Sequence, residues 1–192
     1  MSAGACRMVT IVGNPRPRSR TLGLAAHVSR VLADALSFRG IQPGQPRILD
    51  LATLLPGLPG DDGPLDEMRQ AACDADLLVV ASPTLRASYA GLLKLFLDLL
   101  PRDGLRGAVA VPLMTAASEG HRYAVEAHLR PVLIELGARV PMPGLSVLEA
   151  DLPCADAAVA NWCSLTAPVL AAALQASPSR HSMAGGTWRG GI

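Results

Sequence analysis

Five short apolar runs punctuate the chain, and a stretch of helical periodicity follows each of them. The first run, Met8-Val9-Thr10-Ile11-Val12, is rich in β-branched residues and reads as a strand. From Leu22 to Phe38, Ala25, Val28, Leu32, Ala35 and Leu36 recur at spacings of three and four, which draws one apolar stripe along a helix that Gly40 ends. Arg47-Ile48-Leu49-Asp50-Leu51 is a short second strand, and Leu55 to Pro64 is a loop rich in Pro, Gly and Asp. Pro64 to Asp74 reads as a helix with its proline in the first turn and Leu65, Met68 and Ala72 on one face. Leu77-Leu78-Val79-Val80-Ala81, bounded by Asp76 and Ser82-Pro83, has the wholly apolar form of a strand buried on both faces. Tyr89 to Leu100 is apolar almost all round, broken only by Lys94 and Asp98, so it predicts a helix covered by the fold or by an oligomer. Ala108 to Met114 is a fourth strand, followed by a helix over His121–Leu136 that Gly137 closes. Pro131 inside that helix has no N–H to donate, and its ring meets the carbonyl four residues back. A kink or bulge is therefore expected near Ala127. Leu145 to Leu148 is the fifth strand, and Ala155 to Ala176 is a long Ala-rich helix with Pro168 inside it.

Strands and helices that alternate five times imply an α/β fold: a doubly wound, five-stranded parallel sheet with helices on both faces. An anion-suited loop after the first strand points to the flavodoxin-like order 2-1-3-4-5, in which ligands sit beyond the carboxyl ends of strands near the switch point. Three polar loops then converge on one crevice: Gly13–Thr21, Ser82–Ser88 and Thr115–Gly120. Residues 1–176 form one domain on this reading. Residues 177–192 carry Gly, Ser and Arg with little apolar content and read as a mobile tail.

Composition narrows the picture. Half the residues are apolar but only 3% are aromatic, so the core must be built from Leu, Val and Ala. A net charge of +1 provides no global field for nucleic acid or an anionic membrane. No apolar run looks long enough to cross a bilayer, and Met1–Cys6 lacks the form of a signal peptide. Cys6, Cys73, Cys154 and Cys163 are far apart with no CxxC, which favours free thiols in a reducing cytoplasm over a disulfide framework or a zinc site.

The first loop, GNPRPRSRT, holds the densest chemistry. A helix N-terminus offers unpaired N–H groups and the positive end of the dipole, which suit a phosphate. Ser19 or Thr21 can cap the helix, and Arg16 and Arg18 can add charge-assisted hydrogen bonds. The same residues also fit a capped helix after a solvated basic turn. A triphosphate loop is excluded because there is no GxxxxGK[ST], and the dinucleotide fingerprint GxGxxG is absent.

Three stretches together resemble the NAD(P)H-dependent FMN reductases of the flavodoxin-like superfamily, in particular those that serve sulfonate monooxygenases. GNPRPRSRT resembles that family's phosphate loop, usually Gly-Ser-x-Arg-x-x-Ser. SPTLRASYAGLLKLFLDLLP, residues 82–101, is similar to its second loop and helix. PLMTAASEGH with HLRPVLIELGA, between Pro112 and Ala138, resembles its third loop and helix. The likeness runs over roughly residues 8–150. It implies that Asn14, Arg16, Ser19, Arg20 and Thr21 hold the FMN phosphate. By the same resemblance Pro83, Thr84, Leu85 and Arg86 border the isoalloxazine ring, and Thr115, Ala116, Ala117 and Ser118 meet it with backbone groups. Two departures stand out: Leu85 replaces a frequent Tyr, and Ala116-Ala117 replaces a Gly-containing pair. The resemblance further implies NADPH or NADH as hydride donor and a homodimer or tetramer, with reduced FMN passed to a partner monooxygenase.

Other chemistry is weaker. His121 and His128 lie about two helical turns apart, too far to share a metal, and His27 and His181 have no partner at ligand spacing. Ser82, Ser88 and Ser118 lack a GxSxG elbow, and Lys94 with Asp98 is a helix-surface pair. No catalytic acid or base stands out, which suits hydride transfer between cofactors. The alternatives are a reductase that retains FMN and acts on a quinone, azo dye or metal ion, or a flavodoxin-like electron carrier. A phosphate-binding hydrolase ranks behind both for want of a nucleophile. Carriers of the flavodoxin type are usually strongly acidic, which a net charge of +1 does not match.

Overall fold

The computed structural model describes residues 5–57 and 62–176. A parallel sheet runs in the order β2-β1-β3-β5-β6, built from β1 (Met8–Val12), β2 (Arg47–Asp50), β3 (Leu77–Leu85), β5 (Val109–Ala116) and β6 (Leu145–Leu148). A sixth strand, β4 (Ser88–Tyr89), pairs antiparallel with the end of β3. Without that short strand the order is the expected flavodoxin-like one. Register holds Val12 beside Ala81, Ala81 beside Leu113 and Pro83 beside Thr115, so β1, β3 and β5 end along one edge.

Helices cover both faces. α1 (Arg20–Ser37) and α5 (Asp156–Gln175) share one apolar cluster, with Val28, Leu32, Val159 and Leu170 packed under Leu77, Val79 and Leu113. α2 (Asp62–Asp74), α3 (Gly91–Asp98) and α4 (Arg130–Glu135) bring Ala72, Leu93, Phe96 and Leu133 onto the opposite face, against Ile11, Leu78 and Val80. Central strands β3 and β5 are buried on both sides, as their unbroken apolar runs require.

Four local expectations change. The second polar loop is a hairpin: β3 continues to Leu85 and returns through Arg86-Ala87, so α3 starts at Gly91 and not at Tyr89. The Leu55–Pro64 loop opens inside a 3₁₀ turn, Leu51–Gly57, and α2 starts before its proline; residues 58–61 lie outside the described residues. The helix foreseen over His121–Leu136 is composite, with a 3₁₀ turn at Glu119–His121, a π-helical turn at Val125–Leu129 and α4 after it. The bulge sits where Pro131 predicts it. The Arg130 N–H reaches back five residues to the Val125 carbonyl. Finally, α5 is long and apolar enough by length and composition to cross a bilayer, although in the fold its Cys163, Ala167 and Leu170 are buried beside α1. The segment read as a mobile tail, 177–192, lies outside the described residues.

No disulfide joins the four cysteines. Burial pushes the Cys6 and Cys163 thiols up to about 11, which removes them as nucleophiles near neutral pH.

Candidate functional site

The crevice starts where β1 stops. Gly13 donates its N–H to the Ala81 carbonyl at 2.8 Å, and α3 crosses so closely that a Cβ on Gly13 would lie 2.3 Å from Leu93 Cβ. Asn14 then forms an Asx turn, its Oδ1 accepting from the Arg16 N–H at 2.9 Å. Pro15, Arg16, Pro17 and Arg18 stand exposed. Arg18 is left-handed, with φ 53°, a conformation that a non-glycine residue holds at a cost. Ser19 is the helix cap: extended backbone, with its Oγ accepting from the Leu22 N–H at 3.2 Å.

Within this loop the structure separates residues that the sequence groups together. Among the described residues, Arg16 and Arg18 make no ion pair, so two guanidiniums stand unneutralised beside the N-terminus of an 18-residue helix. Arg20 points elsewhere and pairs with Glu149, just past the end of β6. Thr21 is 2% exposed, and its hydroxyl lies between Asn14 Nδ2 at 3.1 Å and Thr115 Oγ1 at 3.0 Å.

The second loop is the β3–β4 hairpin. Ser82, weighed above as a nucleophile, is buried and fully used, accepting from the Ala90 N–H and donating to the Pro83 carbonyl, both at 2.9 Å. Pro83 and Thr84 are buried, and the Thr84 hydroxyl has no hydrogen-bond partner among the described residues. Leu85 is half-exposed, and among the described residues Arg86 at the tip makes no ion pair. The tip residues, Arg86 at φ 51° and Ala87 at φ 63°, make a two-residue turn of the kind normally given to Asn-Gly.

The third loop leaves β5. Thr115 and Ala116 are buried, while Ala117 and Ser118 are exposed. Glu119 is engaged by Arg122 at 2.7 Å, and Arg122 also donates to the Ser146 carbonyl at 2.8 Å, which ties this loop to β6. Arg122 and Glu149 were missed by sequence reasoning, since nothing local marks a residue whose partner lies on another strand. Behind the loop, the π turn is fixed by Glu126, which accepts from the Gly144 N–H at 2.6 Å, and by Arg130, which donates to the Val140 and Met142 carbonyls. Tyr123 and His128 pack their rings 5.9 Å apart on this segment.

These features share one edge of the sheet: two free guanidiniums, a capped helix start, a buried hydroxyl without partner and a half-exposed leucine. They fit a ligand with an anionic head and a flat polar body. A separate cavity of about 360 Å³ lies between α1 and the β6–α5 connection. Arg20 is paired with Glu149 there, His27 Nε2 lies 3.2 Å from Asp156 Oδ1, and no residue of the second or third loop lines it. Lys94 pairs with Asp98 on α3 as the sequence suggests. Among the described residues no group of His, Cys, Asp and Glu is placed to hold a metal.

Residues 6–151 match the sequence model of a family described as NADPH-dependent FMN reductase. The chain is 34% identical over 142 residues to FMN reductase (NADPH) of Escherichia coli strain K12, covering 72% of this chain and 71% of that protein. It is 36% identical over 135 residues to the NADH-dependent FMN reductase SfnF of Pseudomonas putida, covering 69% and 72%. Among solved structures it resembles the apo form of an NADH:FMN oxidoreductase, EMOB, with 31% identity, a TM-score of 0.70 and coverage of 91% and 93%.

Proposed function

Because the chain belongs to the NADPH-dependent FMN reductase family, we propose that the three-loop crevice is where its two substrates meet. The protein is an oxidoreductase that reduces FMN with NAD(P)H. FMN, when bound, supplies the hydride acceptor, so the protein needs no acid or base of its own there. The observation that carries the site assignment is the pair of unneutralised arginines, Arg16 and Arg18, beside the Ser19-capped start of α1.

In this reading Arg16 and Ser19 contact the phosphate directly. Thr21 offers its hydroxyl to the phosphate from below, Asn14 shapes the loop, and Arg20 serves it only when released from Glu149. Pro83, Thr84, Leu85 and Arg86 border the ring, with the Thr84 hydroxyl available to one of its polar atoms. Thr115, Ala116, Ala117 and Ser118 bound its other side. The sequence carries no dinucleotide fingerprint to grip it elsewhere, so NAD(P)H stacks on the exposed ring face with Arg86 as a contact. Leu85 gives that ring little cover, which favours an FMN that exchanges as a substrate and leaves reduced, to solution or to a partner monooxygenase. Free thiols and a net charge of +1 support a cytoplasmic setting with no nucleic acid or membrane partner. Leu95, Leu99 and Ile134, exposed on the α2–α3–α4 layer, support a homodimer that pairs into a tetramer.

Fluorescence titration of the flavin-free protein tests the site. FMN binds more tightly than FAD, and Arg16→Ala weakens FMN by about 1.5–3 kcal/mol, the range for a hydrogen bond to a charged group. The melting temperature of the flavin-free protein stays unchanged. Equal FMN affinity in wild type and Arg16→Ala contradicts the assignment.

A further inference from the structure

One buried chain of hydrogen bonds joins the first loop to the third. Asn14 Oδ1 accepts from the Arg16 N–H, which fixes the amide so that Nδ2 faces Thr21 and donates to its Oγ1 at 3.1 Å. Thr21 Oγ1 lies 3.0 Å from Thr115 Oγ1. All three side chains are at least nine-tenths buried: Asn14 is 8% exposed, and Thr21 and Thr115 are 2% exposed. Thr21 opens the helix that follows the arginine loop, and Thr115 ends the strand that leads into Ala116–Ser118.

Counting hydrogens gives the chain a property that neither residue has alone. Each threonine has one hydroxyl hydrogen, and the contact between them uses only one of the two. Neither hydroxyl has a further acceptor among the described residues. One hydrogen is therefore left over, and it belongs to Thr21 or to Thr115 according to which of them donates to the other. A buried donor without an acceptor is costly, so a ligand oxygen that accepts it fixes the direction of the whole pair.

We propose that Thr21 and Thr115 are positioning residues that share one hydroxyl hydrogen and so couple recognition of the flavin phosphate to the loop beside the ring. A phosphate oxygen that takes the Thr21 hydrogen turns Thr115 into the donor toward Thr21. Without a phosphate, Thr21 donates to Thr115, and Thr115 offers its hydrogen to the ring side. Thr115 thus takes part in discriminating FMN from riboflavin although it belongs to the other loop. The inference rests on the site assignment above and deepens it.

The test is the ratio of riboflavin to FMN dissociation constants, read by flavin fluorescence on flavin-free protein. Thr21→Val lowers that ratio by about tenfold, Thr115→Val raises it severalfold because the Thr21 hydrogen is then left with the phosphate as its acceptor, and the double variant falls back to the Thr21→Val value. Thr115→Ser keeps the wild-type ratio, and Thr115→Ala repeats the rise in a smaller side chain should the valine distort the fold. Melting of each flavin-free variant separates lost folding from lost recognition. An unchanged ratio in Thr115→Val and Thr115→Ala overturns the coupling, because a ring contact acting alone weakens both flavins equally. A double variant that keeps the Thr115→Val rise on top of the Thr21→Val loss overturns it too. A wild-type protein with no preference for FMN over riboflavin defeats the site assignment itself, a result distinct from either of these.

Discussion

Two loop tips hold residues in a conformation their side chains resist. Arg18, Arg86 and Ala87 all have φ between 50° and 65° without being glycine. Such strain persists where the surroundings require the geometry, and here it occurs in both arginine-bearing loops. Ala87 is the clearest case, since its turn calls for glycine and its methyl contributes no charge or hydrogen bond. Ala87→Gly should stabilise the protein by about 1 kcal/mol, the cost of a left-handed Cβ, as read from urea unfolding; a loss of stability contradicts the strain. The sequence lets Ser19 be recognised as a cap, because the signal and its partner Leu22 lie within three residues. Arg20 and Thr21 look like their neighbours in sequence, but their roles are set by Glu149 and Thr115, which are 129 and 94 residues away. No local pattern could have divided the loop that way.

Elements were legible where one residue dictates backbone geometry. Pro131 foretold the disruption at Ala127 because a missing N–H and a ring clash act on the chain locally. The β3–β4 hairpin was not foreseen, because Arg-Ala lacks the glycine that announces a tight turn and what closes it is the pairing of Thr84 with Tyr89 and of Leu85 with Ser88. Helix α3 shows a related limit. Its apolar surround suggested cover on every side, but in the fold Leu93, Phe96 and Leu97 face the core while Leu95 and Leu99 remain exposed. The junction of β1 and α3 depends on Gly13, whose missing side chain lets Leu93 approach. Gly13→Ala should lower stability by about 1–3 kcal/mol through overpacking against a helix that cannot retreat. Gly23, inside α1 with nothing within 4 Å of an added Cβ, is the control: Gly23→Ala should raise stability by roughly 0.5–1 kcal/mol. Similar melting shifts in the two variants would contradict this account of the packing.

At the level of the whole molecule, alternation of strands and helices, with an anion-suited loop after the first strand, was enough to give the sheet order, because right-handed crossovers leave few ways to wind it. Of the apolar residues on α3 and on the π–α4 segment, Leu93, Phe96, Leu100, Leu129 and Leu133 are consumed by the core. What remains outward on that layer is Leu95, Leu99 and Ile134, with Tyr123 on the π segment's approach. Light scattering at micromolar concentration should find a dimer or tetramer, and replacing Leu95 and Ile134 by Glu should shift it toward monomer; a monomeric wild type contradicts the assembly. The central claim is that a lightly covered crevice turns FMN over as a substrate for NAD(P)H. Its most direct measurement is NADPH and NADH consumption by flavin-stripped protein against added FMN. The account predicts a rate that rises with free FMN and saturates, with reduced FMN appearing in solution. A rate flat in FMN but rising with a quinone would mean a retained flavin, and no consumption of either nucleotide would mean an electron carrier; both contradict it.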